Sequence, residues 1–312
     1  MANNATLDVD GTKVNVTNLD KVFYPKVGFT KGQVIDYYIR VSSFLLPHLK
    51  DRPISLKRYP EGVEGFFFYE KRCPEHRPEW VKTARVPKTE GGAIDYCLMN
   101  DLPALVWAAN LADLELHTFL HKAPSLNRPS ALAFDLDPGP PADILLCCQV
   151  GLWIKAIFDN LGLESFAKTS GSKGLQVYIP LNTPVTYERT KPFAQAVAGL
   201  LEQQAPKVVV SNMQRNLRKG KVLVDWSQND AHKTTINVYS LRARERPTVS
   251  APVTWDEIKN ATKKKKILSF DSDEVLRRLE TEGDIFAPVL SLKQKLPPLT
   301  SLAWKFHEPE RS

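Results

Sequence analysis

Two hydrophobic rhythms run along the chain. Residues 6–16 alternate apolar and polar side chains about Asp10-Gly11, the period-two pattern of a β-hairpin with a tight turn. Thr30-x-x-Gln33 is a capping box, and from Val34 to Leu46 apolar residues recur at helical spacing. A helix is predicted there, ending before Pro47. Residues 54–58 read as a strand, followed by the aromatic run Phe66-Phe67-Phe68-Tyr69. Residues 105–116 predict a mostly buried helix with His117 near its exit. An apolar strand carrying Asp135 and Asp137 follows. Then come a helix over 142–161, a strand over 164–168, a glycine-rich turn, a strand over 175–179 and a helix over 187–203. The basic stretch 215–220 leads into a strand ending at Asp225. A strand over 234–240 and helices over 255–259 and 272–282 close the pattern. Residues 293–312 lose periodicity and read as a loosely ordered tail. Strands and helices mixed in this way predict an α+β, or mixed α/β, body.

Composition narrows the classes. With 43% hydrophobic and 25% charged residues in 312, the chain can bury a substantial core. No apolar run reaches the ~18–20 residues that span a bilayer, so no membrane partner is expected. The first residues lack a signal-peptide pattern. Cys73, Cys97, Cys147 and Cys148 form no Cys-x-x-Cys pair, so neither zinc nor a disulfide framework is indicated, and a reducing cytoplasmic location is expected. The net charge of +7 gains meaning from basic clusters at 50–58, 215–221, 242–246 and 263–266, which suit a polyanionic partner. Solvated surface is the plain alternative for each, most of all for the last.

The candidate chemistry centres on Ala-Leu-Ala-Phe-Asp-Leu-Asp-Pro-Gly (131–139). Residues two apart on a strand share a face, so Asp135 and Asp137 stand side by side and would repel without a cation between them. Asp225, after Val222-Leu223-Val224, sits in a similar setting. Three strand-borne carboxylates can hold two metal ions around a transferring phosphoryl group, although such residues also serve as caps and strand ends. The loop Lys168-Thr-Ser-Gly-Ser-Lys-Gly174 offers hydroxyls, free backbone N–H groups and the Lys173 ammonium for a polyphosphate, without Walker A spacing. His117 alone reads first as a helix-end histidine. Four consecutive aromatics cannot all face inward on a strand, and exposed rings beside Lys71 and Arg72 suit stacking on unpaired bases.

In this order the pieces resemble the polymerase domain of DNA ligase D, a branch of the archaeo-eukaryotic primase superfamily, in stand-alone form. The resemblance rests on residues 17–25, 52–63, 114–117, 134–139, 168–175, 224–229 and 239–244. It implies a primase-polymerase fold over residues 1–292, with mixed and antiparallel sheets flanked by helices. An RRM-like catalytic module and an N-terminal module would interleave into one unit. It implies a template-directed nucleotidyltransferase of non-homologous end joining that extends 3′ ends, fills gaps and favours ribonucleotides. Asp135, Asp137 and Asp225 would then hold two Mg2+ or Mn2+ ions. His117, Ser170, Lys173, Lys57, Gln228, Arg242 and Arg244 would surround the NTP or dNTP. Lys21 and Lys31 match lysines that hold the 5′-phosphate of the downstream strand, and Phe68 and Tyr69 an aromatic pair against the template. Lys71 and Arg218 are further candidate DNA contacts. Partners implied are DNA ends with a 5′-phosphate and 3′ overhang, a separate ligase and a Ku-type end-binding protein, in a nucleoid-associated setting. The family's second motif ends Gly-Leu-His, whereas position 176 here is Gln, which can donate a hydrogen bond but carries no charge. A non-catalytic DNA-end bridging module is the rival reading, and a two-metal nuclease a third. The bridging module gives no role to three strand-borne aspartates, and the nuclease none to a triphosphate loop.

Overall fold

Alternation along one strand decides the architecture. In the computed structural model, which describes residues 3–302, the strand Ala131–Pro138 turns Leu132, Phe134 and Leu136 into one hydrophobic core and Ala131 and Ala133 into another. The first core is completed by the helices Ile144–Asn160 and Tyr187–Gln204, through Ile154, Phe158, Val197 and Leu201. The carboxylates of Asp135 and Asp137 therefore lie on the sheet face away from those helices. Six strands make this sheet, in the order Val209–Val210, Val222–Asp225, Ala131–Pro138, Leu175–Pro180, Phe166–Thr169 and Pro252–Val253. All pairs are antiparallel except the first.

A second sheet runs Thr235–Ile236, Asp113–Thr118, Pro53–Arg58, Ala93–Leu98 and Thr83–Pro87, with Phe68–Glu70 paired to Pro53–Arg58. The helices Lys31–Leu49 and Leu102–Asn110 fill its core with Tyr38, Leu45, Leu105 and Trp107. The segment 235–251 joins the sheets. Ile236 pairs with His117 on one side, while Ala251 O accepts from Thr169 N (2.8 Å) on the other. The mixed α/β class with antiparallel sheets is as expected.

The predicted hairpin forms as Ala5–Val9 and Thr12–Val16. Thr30 caps its helix, accepting from Gln33 N (3.3 Å) while its own N donates to Gln33 Oε1 (2.8 Å). Five expectations need correction. The helix does not stop before Pro47 but runs to Leu49; beyond the proline, buried His48 pairs with Asp284 (2.8 Å), and this packing offsets the missing N–H. The helix expected over 105–116 ends at Asn110, because Ala112 takes φ 63°; Asp113–Thr118 is a strand, and His117 lies on it. Of the expected strand 234–240 only Thr235–Ile236 is a strand, because Tyr239 takes φ 63° and the chain turns to bond Ser250 through Tyr239 N (2.8 Å) and Ser240 O (2.9 Å). Cys73 and Cys97 are joined in a disulfide, because Cys73 N donates to Asp95 O (2.7 Å) and lays its loop along the strand Ala93–Leu98. Of the segment read as a loose tail, Gln294 is buried and donates to Pro180 O (2.8 Å) and Glu164 O (3.0 Å); residues 303–312 lie outside the described residues.

Thr30→Ala removes the hydroxyl that opens the Lys31–Leu49 helix. It should lower unfolding free energy by about 1 kcal/mol, read as a shift of the urea midpoint at constant slope.

Candidate active site

Strand pairing sets four side chains in one row. Asp225 stands opposite Asp135, Asp135 opposite Gln176, and Gln176 opposite Lys168. Buried Lys168 donates to Gln176 Oε1 (2.5 Å), Ser250 Oγ (2.7 Å) and Ile236 O (3.0 Å). An ammonium only donates, so it fixes the amide of Gln176 with its oxygen inward. The NH2 end then donates to Thr235 Oγ1 (3.0 Å) and faces Asp135. Burial raises the Asp135 carboxyl, and the charges of Asp137 and Asp225 raise it further. Asp137 is raised by burial and by Asp225, against Arg218 and Arg242. Burial lowers Lys168, against the attraction of Asp135.

Asp225 is held at both oxygens. Oδ1 accepts from Ser227 N (2.8 Å) and Oγ (2.5 Å), and Oδ2 accepts from Gln228 Nε2 (3.1 Å). Lys233 Nζ in turn donates to Ser227 Oγ. Asp135 Oδ1, by contrast, is buried with no hydrogen-bond partner. Among the described residues, no three His, Cys, Asp or Glu side chains stand as a ready metal-binding group. The donor set nevertheless fits a hard divalent cation: three carboxylates crowded together, two of them raised by burial and by their neighbours' charge, one with an orphaned buried oxygen.

A cavity of about 690 Å3 opens over this row. One wall is the 170–174 loop, where Ser170 Oγ accepts from Ser172 N (3.2 Å) and Gly174 N (3.0 Å). Gly174 lies so close to Leu136 that a Cβ would sit 2.1 Å from Leu136 O; glycine is what lets the loop lie on the aspartate strand. Arg242 Nη1 donates to Ser170 O (2.5 Å), and Arg244 bonds Ser172 Oγ. The other wall is built on Glu115, 1% exposed, whose Oε2 meets Lys57 Nζ (3.1 Å) and His117 Nε2 (3.1 Å). Its Oε1 lies 3.2 Å from Arg242 Nε and accepts from Ala243 N (3.1 Å).

Eleven of the predicted site residues line the cavity: Asp135, Asp137, His117, Ser170, Lys173, Gln228, Arg242, Arg244, Tyr69, Lys71 and Arg218. Asp225 lies behind them, beside Asp135. Lys57 does not line it; its ammonium sits between Glu115 and the rings of Tyr59, Phe67 and Tyr69, 4.7–5.4 Å from their centroids. Phe68 turns onto Arg58 instead, and the exposed rings are Phe66 (73%), Phe67 (47%) and Tyr69 (52%). Lys21 and Lys31 lie outside the cavity and next to each other; Lys21 pairs with Glu61 (2.8 Å), and Lys31 is buried. Sequence reasoning missed Glu115, Thr235 and Lys233 as site residues. Only Glu115 carried a signal, as the acid two positions before His117 on what is in fact a strand.

Comparison with known proteins bears out the family resemblance. The family model "LigD, primase-polymerase domain" matches residues 30–286. The multifunctional non-homologous end joining protein LigD of Mycolicibacterium smegmatis is 41% identical over 279 residues, covering 89% of this chain and 36% of that protein. The bifunctional LigD of Bacillus subtilis is 33% identical over 272 residues, covering 87% of this chain and 43% of that one. The chain thus spans well under half the length of these relatives. The polymerase domain of Mycobacterium tuberculosis ligase D, solved in complex with DNA, superposes with a TM-score of 0.84 at 38% identity, covering 90% of this chain and 99% of that one.

Asp135→Asn removes a buried like charge. A carboxyl raised in the fold destabilises it above its folded value and not below the ordinary 3.8. In metal-free buffer the variant should be more stable than wild type at neutral pH, and the gain should vanish as pH falls through 4. Urea midpoints from pH 3.5 to 8 would show this.

Proposed function

Because this chain belongs to the LigD primase-polymerase domain family, a family of nucleotidyltransferases, we propose that it extends DNA 3′ ends with nucleotides chosen by a template. The observation that carries this reading is the register of Asp135 with Asp225, beneath a cavity also lined by Ser170, Lys173, Arg242 and Arg244. A primer 3′-oxygen attacks the α-phosphorus of a nucleoside triphosphate, and the bond to the β-phosphate oxygen breaks with pyrophosphate leaving. Asp135, Asp137 and Asp225 would hold two divalent ions, Mg2+ or Mn2+. These would lower the pKa of the attacking hydroxyl and neutralise charge on the triphosphate. The chain's own part is positional. The 170–174 loop presents backbone N–H groups, and Lys173, Arg242 and Arg244 put fixed charge where the leaving group gathers its own. Gln176 and Gln228 supply neutral donors beside the carboxylates. A role for the exposed rings in stacking on template bases follows from their exposure beside the cavity.

The biological setting is part of the same proposal. The relatives are non-homologous end joining proteins; the substrate we propose is a double-strand break with a 5′-phosphate and 3′ overhang, filled preferentially with ribonucleotides. A ligase and a Ku-type end-binding protein would act with it. Lys31 suits the 5′-phosphate, for it is a buried cation beside Lys21, and its pKa is lowered to about 8 by burial and by the charges of Lys21 and Arg58. An anion there relieves both effects. The bridging-module alternative leaves the crowded aspartates without a role.

Asp137→Ala should abolish nucleotide incorporation in a primer-extension assay with Mn2+, while duplex binding by gel shift stays within about twofold of wild type; extension near the wild-type rate would refute the assignment. Lys31 is charged below its pKa and neutral above it. The preference for 5′-phosphorylated over 5′-hydroxyl ends should therefore hold at pH 7 and fade once pH rises past about 8. A preference constant to pH 9.5 would remove Lys31 from the site.

A further inference from the structure

Glu115 lies beneath the cavity and touches none of it, yet two cationic side chains and an imidazole end on it. Its carboxylate is buried at 1% exposure between Lys57, His117 and Arg242. Burial alone would raise its pKa. The hydrogen bond from His117 and the charges of Arg242 and Lys57 outweigh that and hold it well below the usual carboxylate range. Glu115 is thus ionised and can only accept. The proton between Glu115 Oε2 and His117 Nε2, 3.1 Å apart, must then belong to the histidine.

That fixes the tautomer. The imidazole is pushed toward neutrality by burial and by the charges of Arg242 and Lys57, against the hydrogen bond and charge of Glu115. A neutral ring that carries its proton on Nε2 leaves a lone pair on Nδ1. His117 lines the cavity, and among the described residues Nδ1 has no hydrogen-bond partner. The groups around the ring are Glu115 on its own strand, Lys57 on the next strand, Arg242 from the joining segment and the edge of Tyr69 at 5.7 Å. Ser55 and Ile236, its register partners, carry no charge. A lone pair turned to a polyanion repels it, whereas an N–H donates a charge-assisted bond. A triphosphate would also neutralise Arg242, one of the two charges that hold the ring neutral.

We propose that Glu115 is a positioning residue which holds His117 with its proton on Nε2, so that binding a nucleoside triphosphate takes up one proton from solvent at Nδ1. The inference rests on the triphosphate reading of the cavity and adds to it a thermodynamic signature. A site that takes up a proton on binding loses affinity as pH rises between the free and bound values of the ring, up to tenfold per pH unit.

The test is calorimetric titration of the full chain with ATP and Mn2+, without DNA, at pH 7.5. Buffers of different ionisation enthalpy report the protons exchanged. Wild type should take up a substantial fraction of one proton more than His117→Gln, a difference that cancels the release from Asp135 on Mn2+ binding common to both, and His117→Gln should bind more weakly. Glu115→Gln keeps an acceptor but no charge; it should lower the uptake and raise KM for the nucleotide by about tenfold or more, with a smaller change in kcat. Equal proton exchange in wild type and His117→Gln overturns the inference while leaving the nucleotide site standing. No ATP binding at all overturns the nucleotide site, and the inference with it. A folded Glu115→Gln that keeps wild-type uptake and KM overturns the positioning role; the first two proteins decide the proton uptake itself even if that variant does not fold.

Discussion

Like charge held at close quarters is the constraint around which this molecule is arranged. Antiparallel pairing places Asp225 beside Asp135, and the pleat puts Asp137 on the same face. Carboxylates so placed repel each other, and burial makes Asp135 and Asp137 more costly to ionise. The surrounding fold answers with fixed donors. Gln176 is oriented by Lys168, Ser227 and Gln228 hold Asp225, and Arg218 and Arg242 lie within electrostatic reach of Asp137. What is left over is a buried oxygen on Asp135 without a partner, which is the condition a divalent cation relieves.

The second sheet supplies the opposite charge by the opposite means. Its buried acid, Glu115, collects Lys57, His117 and Arg242. One carboxylate thereby orients a ring and a guanidinium that reach the cavity. Through Lys57 the same acid is tied to Phe67 and Tyr69, so the surface offered to unpaired bases and the surface offered to phosphates share one anchor. The acidic floor and basic wall sit on different sheets, and the segment 235–251 that bonds to both fixes their spacing.

Much of this was legible in the chain because it is local. The Asp135/Asp137 face, the Thr30 cap, the 168–174 loop and the Asp10-Gly11 hairpin are each written within a few residues. What escaped was set by partners far away in sequence. The stretch 105–116 is apolar almost throughout, so period could not separate helix from strand, and the left-handed turn at Ala112 has no glycine to mark it. Misplacing that strand hid the role of Glu115, whose partners come from positions 57, 117 and 242. Lys168 read as the edge of a surface loop, yet it is a buried amine in the aspartate row. The pairing of Cys73 with Cys97 depends on a loop folding back on a strand, which spacing does not reveal.

The central claim is that Asp135, Asp137 and Asp225 together form a cation site completed by a nucleotide's phosphates. Mn2+ binding followed by electron paramagnetic resonance, with and without ATP, tests it most directly. The account predicts that ATP and the protein together retain Mn2+ more tightly than either alone, and that this gain is lost in Asp225→Ala. Mn2+ retained to the same degree by that variant would contradict it.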